Sequence, residues 1–318
     1  MNFKAELRGM ATAGLLAFCF ALLLVAVPRG LPGVELLQSL RFHLAVLGVP
    51  LAALLLLTGA RWRSLLVVMV MLISVGQGIL PIVDGYQRRA TIGGDTLATI
   101  KVLSFNVLAN RDARDAADFI VSQAPDIAVI METPGIEPYL DQIATVLPYR
   151  LGCEKSASCD TTVFSRTPLT NTRMIKMPPF FRERLAVVST EIDGVPLSVV
   201  GIHLSKPYFD EAAWLELWSA NKALESLTGR VIVAGDFNAA AWSDELVRFS
   251  DAAGLVPPPS HPSTWPVRAG DLGVPIDNMF TRGDLLIEQI EAPVDSYGSN
   301  HRPLVAQVSL RAAAAAQP

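Results

Sequence analysis

The sequence predicts an α/β domain, in which β-sheets are covered by helices, set behind three membrane-crossing helices. Three observations lead there. The hydropathy of the 318 residues is concentrated at the amino-terminal end. The remainder alternates short Val/Ile-rich strands with amphipathic helices. Those strands repeatedly end in a carboxylate, an amide or an imidazole.

The membrane region comes first. The chain is 51% hydrophobic, too apolar for an ordinary soluble domain of this length. Uncharged runs cover residues 9–28, 42–60 and 64–83. About 20 such residues cross a bilayer as a helix, so the three runs predict three spans within residues 1–83. A cleaved signal peptide is the competing reading of the first run. Two further runs follow it, and "AVPRG" is a poor cleavage site. The polar, Gly-bearing stretch 84–98 reads as a linker, and 99–310 as the globular domain. The low-complexity tail 311–318, ending "AAAAAQP", is expected to fray.

Charge divides the chain at the same boundary. Residues 1–90 carry 8 Lys/Arg and 3 Asp/Glu, while residues 91–318 carry 18 and 27. An acidic domain lacks the basic footprint of a protein that grips long nucleic acid. This disfavours such a partner without excluding it, since a bound cation neutralises charge locally. The bilayer and a phosphoester substrate are the expected partners.

Basic residues give no orientation bias. Lys4, Arg8, Arg61 and Arg63 fall on one side of three spans, and Arg29, Arg41, Arg88 and Arg89 on the other. The short basic start favours an inside amino terminus, and so a domain facing the periplasm or exterior of a bacterial inner membrane. Of the three cysteines, Cys19 lies in the first span. Cys153 and Cys159 close a short loop, "CEKSASC", compatible with either a disulfide or two free thiols. A bond there would suit an oxidising compartment.

Within the domain, strands are predicted at 100–107, 127–131, 161–164, 185–192, 197–203, 231–235, 276–281 and 304–309. "DGVP" at 193–196 makes a hairpin of two of them. Helices are predicted at 112–123, 137–146, 210–228 and 243–253. In the third, Ala213, Leu217, Ala220, Leu224 and Leu227 form one apolar stripe. Ser243 and Glu245 suit the start of the fourth. Hairpins mixed with helices argue against a simple doubly wound parallel sheet.

The chemistry lies at the strand ends. "VLSFNV" delivers Asn106, "IAVIME" Glu132, "VVGIHL" His203, "VIVAGDFN" Asp236 and Asn238, "VPIDNMF" Asp277, and "YGSNHRPLV" Asn300 and His301. A lone Asn at a strand end is an edge or turn group, and a lone His is a satisfied core residue. Six strands doing this together is different, because an unpartnered buried polar group costs about 1–3 kcal/mol. Convergence would let these groups satisfy one another and a ligand. Carboxylates and amide oxygens are hard donors suited to Mg2+ or Mn2+. Two imidazoles handle protons or contact phosphoryl oxygens. There is no Gly-rich phosphate loop and no Ser or Cys nucleophile motif. The set suits attack of water on a phosphate ester beside a metal.

"FNV", "ME", "GIHL", "GDFNA", "IDNMF" and "SNHRPL", in this order over roughly 99–310, resemble the endonuclease/exonuclease/phosphatase superfamily. The resemblance implies a four-layer, deoxyribonuclease I-like sandwich of two mixed sheets flanked by helices. It implies a membrane-anchored, divalent-metal-dependent phosphoesterase of phosphate mono- or diesters, of a lipid or other extracytoplasmic substrate, or alternatively an endo- or exonuclease; a non-catalytic binding protein of the same fold is a further alternative. Carried over by motif, Glu132 is the main metal ligand with Asn106 beside it. Asp236 orients or deprotonates water, Asn238 holds phosphate or nucleophile, and His301 stabilises a phosphoryl oxygen. Asp277 orients His301, and His203 assists at the phosphate or leaving group. The family's usual "SDH" is "SNH" here, so Asn300 replaces a carboxylate of the metal site. Two further candidates bind substrate. Trp265 in "PSTWP" either lines the cleft or packs in the core. "PPFFRERLA" puts two Phe residues near Arg182 and Arg184, to touch lipid or phosphate or to pack as a plain loop.

Overall fold

A computed structural model describes residues 3–26, 34–109, 111–152, 160–207 and 212–312. Cys153 and Cys159 lie outside these residues; Cys19 is a free thiol.

Four helices come first: α1 (Phe3–Ala26), α2 (Val34–Ser39), α3 (Arg41–Leu57) and α4 (Arg61–Ala90). Residues Phe3–Leu22 of α1 and the whole of α4 are long and apolar enough to cross a membrane. Their outward side chains, such as Leu16, Phe20, Leu65 and Leu72, are exposed. The middle run of the three expected spans is a 17-residue helix, α3. At 1.5 Å per residue that is about 25 Å, at the short limit of about 17 residues for a crossing. Gly59, at φ +83°, turns the chain there and ends the helix before Arg61. The expected linker is also shorter than 84–98. α4 continues to Ala90, where Arg88 pairs with Asp84 at 3.1 Å and Asp251 at 3.0 Å.

The domain elements are β1 (Thr96–Asn106), α5 (Arg114–Gln123), β2 (Ile127–Met131), α6 (Leu140–Ile143), β3 (Tyr149–Leu151), β4 (Thr162–Ser165), β5 (Thr170–Met177), β6 (Arg182–Ile192), β7 (Val195–His203), α7 (Ala212–Glu225), β8 (Val231–Asp236), α8 (Asp244–Ala252), β9 (Asp277–Arg282), β10 (Leu285–Glu291) and β11 (Leu304–Arg311). Two mixed sheets form, in the orders β10-β11-β1-β2-β4-β3 and β5-β6-β7-β8-β9. Their inner faces meet through Val102, Val129, Val188, Val199, Ile232 and Val308. α5 and α6 cover the outer face of the first sheet through Phe105, Ile120 and Ile143. α7 and α8 cover the second through Leu217, Leu224 and Phe249. Four layers result. Strands β3, β5 and β10 add to the predicted set. β5 reads "TNTRMIKM", with five of eight residues exposed, because it is an exposed edge rather than a core strand.

This architecture puts functional side chains at one end of the sandwich. β1, β2, β7 and β8 finish there, and β4, β6, β9 and β11 start there.

Candidate active site

Strand register does most of the assembly. His203 pairs with Asp236 across β7 and β8, and Asp236 with Asp277 across β8 and β9. In the other sheet Asn106 pairs with Met131, so Glu132 follows directly. Close approach at β8 requires Gly235. It sits at φ +150°, and a Cβ there would lie 1.8 Å from the Ile202 carbonyl oxygen. That explains the glycine before Asp236: any side chain would force β8 away from β7.

Asn106 bridges the two sheets. Its amide nitrogen donates to Glu132 Oε1 and to Asp236 Oδ2, each at 3.1 Å. Its oxygen accepts the Leu108 N–H at 3.1 Å, which fixes the amide orientation. As placed, Asn106 is a donor that spaces two carboxylates, not a free oxygen ligand. Glu132 is half-buried and accepts the Ala109 N–H at 3.0 Å. Glu132 and Asn238 both adopt left-handed backbone, at φ +56° and +50°. Such conformations cost of order 1–3 kcal/mol away from glycine and persist where surrounding contacts impose them. At Asn238 those contacts are its N–H to Asp236 Oδ1 at 2.8 Å and its amide to the Leu204 carbonyl at 2.8 Å.

Two buried imidazoles face Asp236. His301 Nδ1 bonds Asp277 Oδ2 at 2.8 Å, and its Nε2 lies 3.8 Å from Asp236 Oδ2. His203 Nδ1 bonds Asp160 Oδ1, and its Nε2 lies 3.8 Å from the same Asp236 oxygen. Burial alone would lower the His301 pKa; the charges of Asp277 and Asp236, the bond to Asp277 and the charge of Glu132 outweigh it and hold it up at about 9. His203 is raised in the same way: burial opposes its charge, and Asp160 and Asp236 overcome it. Burial and the neighbouring Asp277 charge raise Asp236, against the two histidines.

The loop before β11 is locked from below. The Ser299 hydroxyl donates to the Asn106 carbonyl at 2.6 Å and accepts the His301 N–H at 3.1 Å. The Asp277 N–H bonds Thr264 Oγ1 at 3.2 Å, while Asp277 Oδ1 is buried without a hydrogen-bond partner among the described residues.

The structure therefore brings together Asn106, Glu132, His203, Asp236, Asn238, Asp277 and His301. Three other candidates stand apart from this network. Asn300 is exposed, and its carbonyl accepts the Val267 N–H at 3.3 Å. Trp265 takes the packing alternative, against Ala240, Trp242, Val274 and Ile276. Arg184 does not reach into open space. It bonds Asp160 Oδ2 at 3.1 Å and Ser205 Oγ at 2.9 Å, and lies 3.8 Å from Glu216. Asp160 itself was missed. It immediately precedes a predicted strand, as His301 does, so the polar-strand-end pattern points to it as well.

Asp236, Asp277 and His301 offer ligand-capable atoms all within 4.8 Å of one another. Because His301 Nδ1 already has Asp277 at hydrogen-bond distance, that trio is better suited to holding a proton than to surrounding a cation. Oxygen donors for a cation are nevertheless present. Glu132 and Asp236 share one amide nitrogen as neighbours, and Asp277 Oδ1 lacks a partner among the described residues.

Comparisons with known proteins agree with the fold. A UPF0294 protein of Vibrio cholerae is 32% identical over 143 residues, covering 43% of this chain and 47% of the relative. The matched segment thus spans about half the length of that curated relative. Among solved structures, humanized D. rerio TDP2 superposes with a TM-score of 0.55 at 17% identity, covering 66% of this chain and 98% of that one. A Staphylococcus aureus beta toxin with bound magnesium ions gives 0.55 at 15% identity, covering 66% and 99%. At such identities the likeness concerns the fold. Residues 103–301, well over half of the chain, match the Endonuclease/Exonuclease/phosphatase family, and the chain belongs to that family.

Proposed function

We propose that this protein is a membrane-anchored, divalent-metal-dependent hydrolase of phosphate mono- or diesters. The observation that carries the reading is the placement of both imidazole Nε2 atoms 3.8 Å from one oxygen of Asp236. A carboxylate with two cationic donors beside it offers a base for water and donors for an anionic ester at one point.

Glu132 would hold a Mg2+ or Mn2+ ion together with oxygens of Asp236 or Asp277, all hard donors. Bound there, the ion would neutralise charge on the phosphoryl oxygens. The rest is done by side chains. Asp236 orients a water and takes its proton as the new O–P bond forms. His301, protonated near neutral pH, donates to a phosphoryl oxygen. Asp277 fixes the ring through Nδ1. His203 supplies the proton to the departing oxygen as the old P–O bond breaks. Asn238, held to Leu204, fixes the position of the loop beside Asp236.

The apolar, outward-facing residues of α1 and α4 support the membrane anchor. An amino terminus kept inside by its short basic start, with α1, α3 and α4 all crossing the bilayer, would put the domain outside the cytoplasm. Alkaline phosphatase fused after His301 should be active; fluorescence of a cytoplasm-only reporter at that point, without phosphatase activity, would reverse the orientation.

The activity test uses the purified full chain in detergent with Mg2+ or Mn2+. Turnover of a nitrophenyl phosphate mono- or diester is expected, with loss on chelation and recovery on metal return. Absence of turnover on both ester types with either metal would remove the hydrolase reading.

A further inference from the structure

The membrane helices and the candidate site lie at the same end of the sandwich. α4 establishes the direction. Its residue Ile82 packs with Trp242, Trp265 and Ile276, close to the ends of β8 and β9 that carry Asp236 and Asp277. Three residues later Gly85 lies against Pro257. Arg88 then donates to the Leu255 carbonyl and Arg89 to the Pro257 carbonyl, each at 3.0 Å. Val256 pairs with Thr281, toward the other end of β9. Past Ala90 the Gly94 carbonyl accepts from Arg311, at the last residue of β11. α4 thus descends from the site end to the opposite end, and β1 climbs back to Asn106. The apolar part of α4 before Gly78 projects beyond the site.

A second element agrees. The elbow between α2 and α3 grips the loop that follows Asn238. Ser39 Oγ accepts the Ala240 N–H at 3.0 Å, and the Gln38 carbonyl accepts from the Trp242 indole at 3.2 Å. The Gln38 amide both accepts from the Asp244 N–H and donates to its carboxylate, each at 3.0 Å. Phe42, the second residue of α3, contacts Trp242 edge-on and packs by Gly78. His43 bonds the Leu272 carbonyl at 2.8 Å, and the Leu272 side chain is 79% exposed.

The third element is the tip joining β5 and β6. Phe180 and Phe181 are 53% and 64% exposed, beside Arg182. The tip belongs to the site end, because Leu185 pairs with Ile202, next to His203, and the Glu183 carbonyl accepts the Thr161 N–H beside Asp160. Exposed aromatic rings cost free energy in water and gain it in an interface of headgroups and acyl chains.

We infer that the cleft opens onto the bilayer crossed by the chain's own helices, with Phe180 and Phe181 inserted in it, and that the substrate is the phosphoester headgroup of a lipid. The inference rests on the hydrolase reading above for its chemistry, and on helix docking for its direction. A lipid headgroup needs no extraction from the membrane to reach Asp236, whereas a long polyanion would have to enter between an acidic domain and the bilayer.

The test reconstitutes the full chain into vesicles of phosphatidylethanolamine, phosphatidylglycerol and cardiolipin. Release of water-soluble phosphorus from these lipids is expected. A Phe180→Ser/Phe181→Ser variant should lose roughly tenfold or more of that rate and keep its rate on a soluble nitrophenyl phosphate ester, both read with wild type alongside. Nitrophenyl turnover without lipid turnover, or faster cleavage of single-stranded DNA than of lipid, would overturn the lipid substrate. Equal losses on lipid and soluble ester would overturn the role of the Phe pair. Loss of all turnover by the wild type would instead remove the hydrolase reading. Bilayer contact is read independently by a Phe181→Trp variant in vesicles of nitroxide-labelled lipid. Its added emission should be quenched; unquenched added emission would place the tip in water and overturn the orientation.

Discussion

His301 and His203 face the same Asp236 oxygen at the same distance, 3.8 Å, yet they are supported differently. Behind His301 stands Asp277, whose second oxygen is buried and unpaired among the described residues. Every charged side chain named around His301 is a carboxylate, and its pKa is held at about 9. Behind His203 stands Asp160, whose second oxygen is taken by Arg184. The Arg184 cation opposes the charge on His203 while it favours the charge on Asp160. Both rings are thus held toward the cationic form, but His203 has a cation, Arg184, working against it. A mere doubling of the pair would not produce two roles; the second partner of each carboxylate does.

That contrast can be broken by substitution. The largest loss should come from Asp236→Ala, which removes the group both rings address. On the proposed reaction kcat should fall by about 10²–10⁴-fold, as for loss of a general base. Turnover within a few-fold of wild type on a nitrophenyl ester would detach Asp236 from the chemistry.

His301→Gln should cost nearly as much, about 10²-fold or more, and more than His203→Gln. The two are also distinguished by pH. His301 acts protonated, so wild-type activity should be present below its pKa and decline as pH rises through about 9. His301→Gln should lose that alkaline limb, and His203→Gln should retain it. The reverse pattern would exchange the assigned roles.

Arg184→Met tests the brace. It leaves Asp160 with one partner fewer and should lower kcat roughly tenfold, an effect of about 1.4 kcal/mol. Combined with His203→Gln it should add little, because both act through one unit. Full additivity in the double variant would show that Arg184 acts elsewhere.

Asn300→Asp restores a negative charge one residue from His301. Mg2+ binding by calorimetry should tighten modestly, while loss of binding would count against a metal near this loop. The smallest effect concerns stability rather than turnover. Burial lowers His261 to about 4, and its ring meets Trp242 edge-on. An ordinary histidine titrates near 6.5. Between those values the unfolded chain binds a proton that the folded chain does not, so this contribution is intact above pH 6.5 and lost as pH falls toward 4. His261→Gln should flatten the decline of the melting temperature over that window; an unchanged slope would mean that the ring is wet.

The two regions were unequally legible in the sequence. Each apolar strand announced itself, and the polar residue leaving it could be named, because burying such a group without partners is costly. Asn106, Glu132, His203, Asp236, Asn238, Asp277 and His301 were found that way. Asp160 was not: like Asp277 and His301 it stands at the start of a strand, but it follows the Cys153–Cys159 stretch in the sequence and belongs to none of the family's motifs. Arg184 was named as a substrate contact, since nothing local shows that an arginine on β6 will meet a carboxylate 24 residues away. The edge strand β5 carries no alternating apolar pattern because five of its eight residues are exposed.

The sequence by itself determined the alternation of strands and helices, the apolar amino-terminal segments and the family of the domain. These follow from local periodicity, from hydropathy and from motif order. Which partner each imidazole receives was decided by tertiary structure alone. So was the direction in which the cleft faces. Sheet register and the docking of α4 join residues far apart in the chain, such as Gln38 with Asp244, and no local preference encodes a contact across 206 positions. The same holds for Asn106, whose single amide joins two sheets: its chemistry is written in its side chain, but its two carboxylate partners exist only once the layers have closed.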